Sequence, residues 1–237
     1  MHSPLKLDVG TFAKASLLVV LQLTCCMQVL ANSEDPASVL PRDKRDAMIT
    51  SPAEFFGFRM GSRHLRHEQV CDYMKLLASE SDRVAFVPYA TSHGARPLFV
   101  LVITSPKNHA DLAKIKKTHQ ELASGVRKVP GKEDRSVMYL GYGVHGDEAS
   151  AMNASPLVAY HLASSLADSV VNSLERSVFL LDPSLNPDGG SRFAHWANEN
   201  RGRNASQDPS DREHQQDWPV GRTNYYWFDL NRDWLPA

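Results

Sequence analysis

Two kinds of hydrophobic spacing alternate along most of this chain. In residues 62–79, SRHLRHEQVCDYMKLLAS, the apolar positions Leu65, Val70, Tyr73, Met74 and Leu77 fall on one helical face, with Ser62 read as its cap. Two runs rich in β-branched and aromatic residues follow, RVAFVPYA at 83–90 and PLFVLVITS at 97–105, joined by the turn sequence TSHGAR. The helical period returns over 107–124, with Leu112, Ile115 and Leu122 inward and Lys114, Lys116 and Lys117 on a solvated face. A strand at 136–144, a helix at 148–168 and a strand at 176–184 complete the series. Strands alternating with helices predict an α/β fold whose sheet is largely parallel or mixed and covered on both faces.

The first thirty residues follow neither period. Lys6 and Lys14 precede the apolar run ASLLVVLQLTCCMQVLA, which ends in small residues before the polar NSEDP. Residues 1–31 are read as an export signal cut after Ala31, which places the mature protein in the periplasm or outside the cell. A membrane anchor fits less well, because Gln22, Thr24 and Gln28 interrupt a run that barely reaches the roughly 17 residues a span needs. No stable membrane insertion is expected after cleavage. Removal of the signal takes Cys25 and Cys26 with it and leaves Cys71 without a disulfide partner. Residues 32–60 are rich in proline and charge, show no sustained period, and are expected to form a surface lead-in.

Charge narrows the function. Lys and Arg total 26 against 27 Asp and Glu, a net charge of -1, so nothing favours nucleic acid or an anionic membrane as partner. The chemistry must sit in a local constellation. The stretch YLGYGVHGDEASAM, residues 139–152, sets His145 and Glu148 where a strand hands over to a helix, and α/β sheets bind ligands beyond the carboxyl ends of their strands. An imidazole nitrogen and a carboxylate are both ligands that zinc accepts at about 2.0 to 2.2 Å. Gly143 and Gly146 let the chain bend around them, and Asp147 reads as a turn or cap residue. By itself the same His-x-x-Glu also reads as a turn capped by acids. NPDG, residues 186–189, reads as a turn after the last strand, and the aromatic group Tyr225 to Phe228 as core or loop packing.

Three motifs occur in order: GVHGDEASA, LLDPSLNPDGGSRF and VGRTNYYWFDLNRDW. Together they resemble the zinc carboxypeptidase family over roughly residues 50–237, with SPAEFFGF and TSHGARPLFVLVITS resembling the start of secreted bacterial members. The resemblance implies a three-layer α/β/α fold with a mixed, mostly parallel eight-stranded sheet and zinc at its carboxyl edge. It implies metal-assisted hydrolysis of C-terminal peptide bonds, with peptide or protein C-termini as substrates. His145 and Glu148 resemble the first two zinc ligands. Asn231 and Arg232 resemble the pair that holds the substrate's terminal carboxylate, a task that suits a planar guanidinium. Arg222 resembles the arginine that polarises the scissile carbonyl, with Arg201 and Arg203 as nearby competitors. In the family, a further zinc histidine, a substrate-contacting tyrosine and the glutamate base follow the Asn-Arg pair. Residues 61–237 are therefore expected to be the amino-terminal part of a catalytic domain, incomplete at the C-terminus, that alone binds zinc weakly and turns nothing over. Two other readings use the same motifs: a zinc deacylase of the aspartoacylase or succinylglutamate desuccinylase type, and a non-catalytic exported binding protein.

Overall fold

Strands form close to where the alternation predicts them. The computed structural model describes residues 40–204 and 206–234, so the export signal and the start of the lead-in lie outside the described residues. Within these bounds β1 is Val84–Thr91, β2 Pro97–Ile103, β3 Ser136–Gly141 and β4 Ser177–Asp182. The helices are α1 Pro52–Phe56, α2 His67–Glu80, α3 Pro106–Ala110, α4 Leu112–Ala123, α5 Ala149–Ser164, α6 Asp168–Arg176 and α7 Pro187–Asn200. The four strands make one sheet in the order β1-β2-β4-β3, with helices on both sides. None of the described helices is long and apolar enough to cross a membrane.

The sheet is mixed, as expected, but it is not mostly parallel. Only β3 and β4 pair in parallel; β1 with β2 and β2 with β4 are antiparallel. The short TSHGAR connection decides the first of these, because a tight hairpin joins only antiparallel neighbours. Its turn closes through Ser92 N donating to Arg96 O at 2.8 Å.

Several element boundaries move for identifiable reasons. The helix expected from Ser62 starts at His67, while Ser62 Oγ donates to Arg59 O. Residues 64 and 65 stay extended because their amides bond to distant side chains: His64 N donates to Asn198 Oδ1 and Leu65 N to Asn153 Oδ1. The 107–124 helix breaks at Asp111 into α3 and α4, and none of Leu112, Ile115 and Leu122 is fully buried. α3 is a short turn capped by Ser105 and pinned by buried Asn108, whose Nδ2 donates to Thr104 Oγ1, Leu174 O and Glu175 O. The 148–168 helix ends at Ser164, and α6 follows with Val170 and Leu174 inward. The lead-in also differs from its surface reading, since Ile49, Pro52 and Met60 are buried. Cys71 is free and buried.

NPDG is the largest departure. It opens α7 instead of making a free-standing turn: Asn186 Oδ1 caps Gly189 N at 2.9 Å and Pro187 occupies the first helical turn. Asp188 is buried and accepts from Arg96 Nη1, Ser92 Oγ and Gly94 N at 2.7, 3.0 and 3.1 Å. The β1–β2 hairpin is thereby tied to the start of α7. This fixes the carboxyl edge of the sheet on which the candidate site lies.

Candidate active site

The site begins where β3 and β4 run out together. Tyr142 N donates to Asp182 O, Leu185 N to Tyr142 O and Asn186 N to Gly143 O, at 2.9, 2.9 and 3.0 Å. These bonds lace the two strand exits and leave the chain to turn at Gly143, whose φ of 61° is one that glycine adopts without penalty. His145 and Glu148 follow, just ahead of α5. Behind them three segments meet backbone to backbone. A Cβ on Gly146 would run into the backbone of Gly189, Gly190 and Gly221, and one on Gly221 would come within 2.6 Å of Phe193 Cβ. Glycine at these positions is what lets the His145 turn, the start of α7 and the Arg222 loop share one junction.

Four side chains converge there. His145 is buried, with Nδ1 2.8 Å from Glu148 Oε1 and Nε2 2.9 Å from Asp229 Oδ1. Arg222 Nη1 lies 3.4 Å from His145 Nδ1 and 3.8 Å from Glu148 Oε1. Its Nε and Nη2 donate to Asp229 Oδ2 at 3.2 and 3.0 Å. Burial pushes the Asp229 carboxyl up, but bonds from His145, Asn231 N and Arg222 outweigh this and hold it below the ordinary carboxylate value. Of the two roles read for Asp147, the structure gives it the turn and not the cap: it lies in the turn before α5, Glu148 holds the N-cap position without a side-chain bond, and Asp147 Oδ1 is buried without a partner.

Asn231 and Arg232 lie two and three residues past Asp229, in a short 3-10 turn from Leu230 to Arg232 that Asp229 caps through Asn231 N. Both are exposed. Asn231 Oδ1 accepts from Trp234 Nε1 at 2.8 Å, and Arg232 has no carboxylate partner among the described residues. Of the three candidate arginines, Arg222 is the one beside His145; Arg201 instead donates to Ser62 O, and Arg203 is exposed. The aromatic group beside Arg222 is not core: Tyr225, Tyr226, Trp227 and Phe228 are all exposed.

The structure adds residues that sequence reasoning passed over. Asp229 stands in the quoted motif, and its signal was the need of a buried imidazole for a carboxylate on its second nitrogen. Asn186 and Arg192, which hold the Arg222 loop from α7, both stand in the quoted LLDPSLNPDGGSRF motif, but nothing in their local spacing pointed to that contact.

The donors suit zinc in kind and in spacing. His145 Nδ1 and Glu148 Oε1 lie 2.8 Å apart, close enough to share one ion, while Nε2 is left to donate to Asp229, as metal-bound histidines commonly do. Among the described residues no group of three or more His, Cys, Asp or Glu side chains is arranged to hold a metal. The fit is therefore that of a two-ligand arm.

Residues 70–236 match the family described as zinc carboxypeptidase. The chain belongs to that family. Among solved structures it is similar to thrombin activatable fibrinolysis inhibitor, at 15% identity and a TM-score of 0.45 over 78% of this chain and 36% of the other. It is also similar to carboxypeptidase A from Helicoverpa armigera, at 17% identity and a TM-score of 0.42 over 68% and 29% of the two chains. A metallo-carboxypeptidase from Burkholderia cenocepacia gives 15% identity and a TM-score of 0.42 over 71% and 32%. The chain thus spans about a third of the length of these structures. No curated protein sequence matches it.

Proposed function

We propose that this chain supplies two zinc ligands and the substrate-binding arm of an exported metallocarboxypeptidase that hydrolyses C-terminal peptide bonds. The observation that carries the reading is the connected set His145, Glu148, Asp229 and Arg222 at the carboxyl edge of the sheet, in a chain of the zinc carboxypeptidase family. His145 and Glu148 would hold the ion. Bound zinc would polarise the scissile carbonyl and bring the pKa of a coordinated water toward about 7.

The remaining roles belong to the protein. Asp229 keeps the His145 ring oriented and grips the Arg222 guanidinium by two donors, which leaves Arg222 Nη1 facing the point between His145 and Glu148. A donor fixed there stabilises charge that develops on the carbonyl oxygen, without reorganising when it does so. Arg232, exposed and without a carboxylate partner among the described residues, is free to take the terminal carboxylate in a two-bond fork. Asn231, its own carbonyl held by Trp234, would offer its amide nitrogen beside it.

The test uses the full chain. Zinc is measured by elemental analysis after dialysis, for wild type and His145→Ala, and hydrolysis is followed on matched peptides with free and amidated C-termini. His145→Ala should lose metal. In any preparation that turns over, the free peptide should be preferred, and Arg232→Ala should lower kcat/KM by about 2 to 5 kcal/mol, the range for truncating one partner of a desolvated charge pair. Equal cleavage of free and amidated peptides would remove the carboxylate-anchoring role. Zinc content that ignores His145 would remove the ligand role.

A further inference from the structure

The loop that carries Arg222 has no helix or strand from Gly221 to Phe228. It is held from α7. Arg192 Nη2 donates to Thr223 O at 2.7 Å, Asn224 O at 3.0 Å and Val220 O at 3.4 Å. From the cap of the same helix, Asn186 Nδ2 donates to Arg222 O at 3.1 Å. Two side chains of one rigid element thus account for the carbonyls of Val220, Arg222, Thr223 and Asn224.

Reaching those carbonyls half-buries Arg192. Its Nε is buried without a partner, and burial is the main cause that lowers its pKa. Desolvating a guanidinium is unfavourable unless its donors are used, and here the bonds it makes, all from Nη2, go to loop backbone and not to an ion pair. The carboxylate that most favours its charge, Asp188, is already occupied by Arg96, Ser92 and Gly94. Among the described residues no ion pair therefore explains why a charged side chain is half-buried at this position.

We propose that Arg192 is the positioning residue for Arg222: by gathering three carbonyls of the loop it fixes the backbone from which Arg222 reaches His145 and Glu148. The functional meaning rests on Arg222 acting in the proposed peptidase site, but the clamp can be tested without turnover. In the full chain, Gly221 N donates to Gln216 Oε1 and Asn224 N to Phe228 O, so both amides report on loop order. The Arg222 Nε–H, bonded to Asp229, reports on the side chain itself.

Arg192→Met keeps the apolar stem and deletes the donors. Hydrogen exchange at Gly221 and Asn224 should speed up at least tenfold. The Arg222 Nε–H resonance should shift or broaden, and amides of Leu101 and Leu181 in the sheet should not change. Arg96→Met serves as the control, since it removes the neighbouring arginine from Asp188 but no bond to the loop. It should leave both loop amides at wild-type rates. Unchanged exchange in Arg192→Met, or equal acceleration in the two variants, overturns the proposal. If Arg192→Met does not fold, Arg192→Gln is read in the same way with the same two outcomes. A peptide turned over by the wild type should show the loss in kcat, about tenfold, with KM unchanged. Absence of any turnover would count against the peptidase reading alone, because exchange and the Nε–H signal decide the clamp.

Discussion

The two faces of the sheet carry similar residues and meet different surroundings. On one face the centre is sealed, with Phe99, Leu101, Ile103 and Leu181 at most 1% exposed, although Met138 on the edge strand of that face is 46% exposed. On the other, Val102 and Val178 in the central strands are buried, but Val87, Tyr89, Val137 and Tyr139 on the outer strands are 40 to 52% exposed. Strand alternation puts apolar side chains on both faces, as sheets covered on two sides require. The sealed face also holds a buried base, His67 of α2, whose ring lies 6.0 Å from that of Phe99 and whose Nε2 bonds Pro97 O. The other face holds a buried acid, Asp182, which accepts from Tyr89 Oη at 2.6 Å and Tyr139 Oη at 3.3 Å. Burial opposes charge on both, and because one is a base and the other an acid, their pKa values move in opposite directions. The comparison teaches that hydrophobic pattern specifies a capacity for burial, while packing decides how much of that capacity is used.

The largest effect should come from the sealed face. Leu101→Ala leaves a cavity that rigid neighbours fill poorly, and a loss of about 2 to 5 kcal/mol in urea unfolding is expected. A loss below about 1 kcal/mol would show that this face is not sealed after all.

The pH dependence of stability should separate the two faces next. His67 has its folded pKa depressed below 6.5, chiefly by burial, so its contribution is present above 6.5 and is lost as pH falls through the folded value. His64 and His161 are shifted in the same direction and add to this acid limb. His67→Gln should flatten it. Asp182 has its folded pKa raised above 3.8, again chiefly by burial, so its contribution is present below 3.8 and is lost as pH rises through the folded value. Asp182→Asn should therefore gain on the wild type as pH climbs from about 4, with each tenfold difference in proton affinity between folded and unfolded chain worth about 1.4 kcal/mol. A gap between variant and wild type that stays constant from acid to neutral pH would mean that Asp182 is not titrating as described.

The smallest effect belongs to the edge strand. Val137→Thr on β3 should change stability by no more than about 0.5 kcal/mol, because the side chain already meets solvent. A cost approaching that of Leu101→Ala, measured at the same protein concentration, would show that something covers this face in solution.

Much of the scaffold was legible in the sequence. The alternation in RVAFVPYA and PLFVLVITS marked β1 and β2 to within two residues, and the apolar spacing behind His67 marked α2. α7 was not legible. Its first turn, Pro-Asp-Gly-Gly, is built from poor helix formers. It is helical because Asn186 caps it, Arg96 neutralises Asp188, and Gly189 and Gly190 pack against backbone from two other segments. α6 was hidden because Val170 and Leu174 offer only two inward positions in nine residues. Within the candidate site, residue type and the strand-to-helix junction singled out His145 and Glu148, and motif order singled out Arg222, Asn231 and Arg232.

By itself the sequence determined the four strands, α2, α5 and the residue types gathered at the end of β3, since these follow from neighbours a few positions apart. The tertiary structure decided the rest. It set β2 antiparallel to β4, closed the centre of one face of the sheet, and brought Asp229 to His145 across 84 residues. It also placed Arg192 under the loop that presents Arg222. Local spacing carries no information about such pairs, because their separation is fixed by how the turn before α5, the start of α7 and the 220–232 segment pack around four glycines, and by which buried polar groups must find partners there.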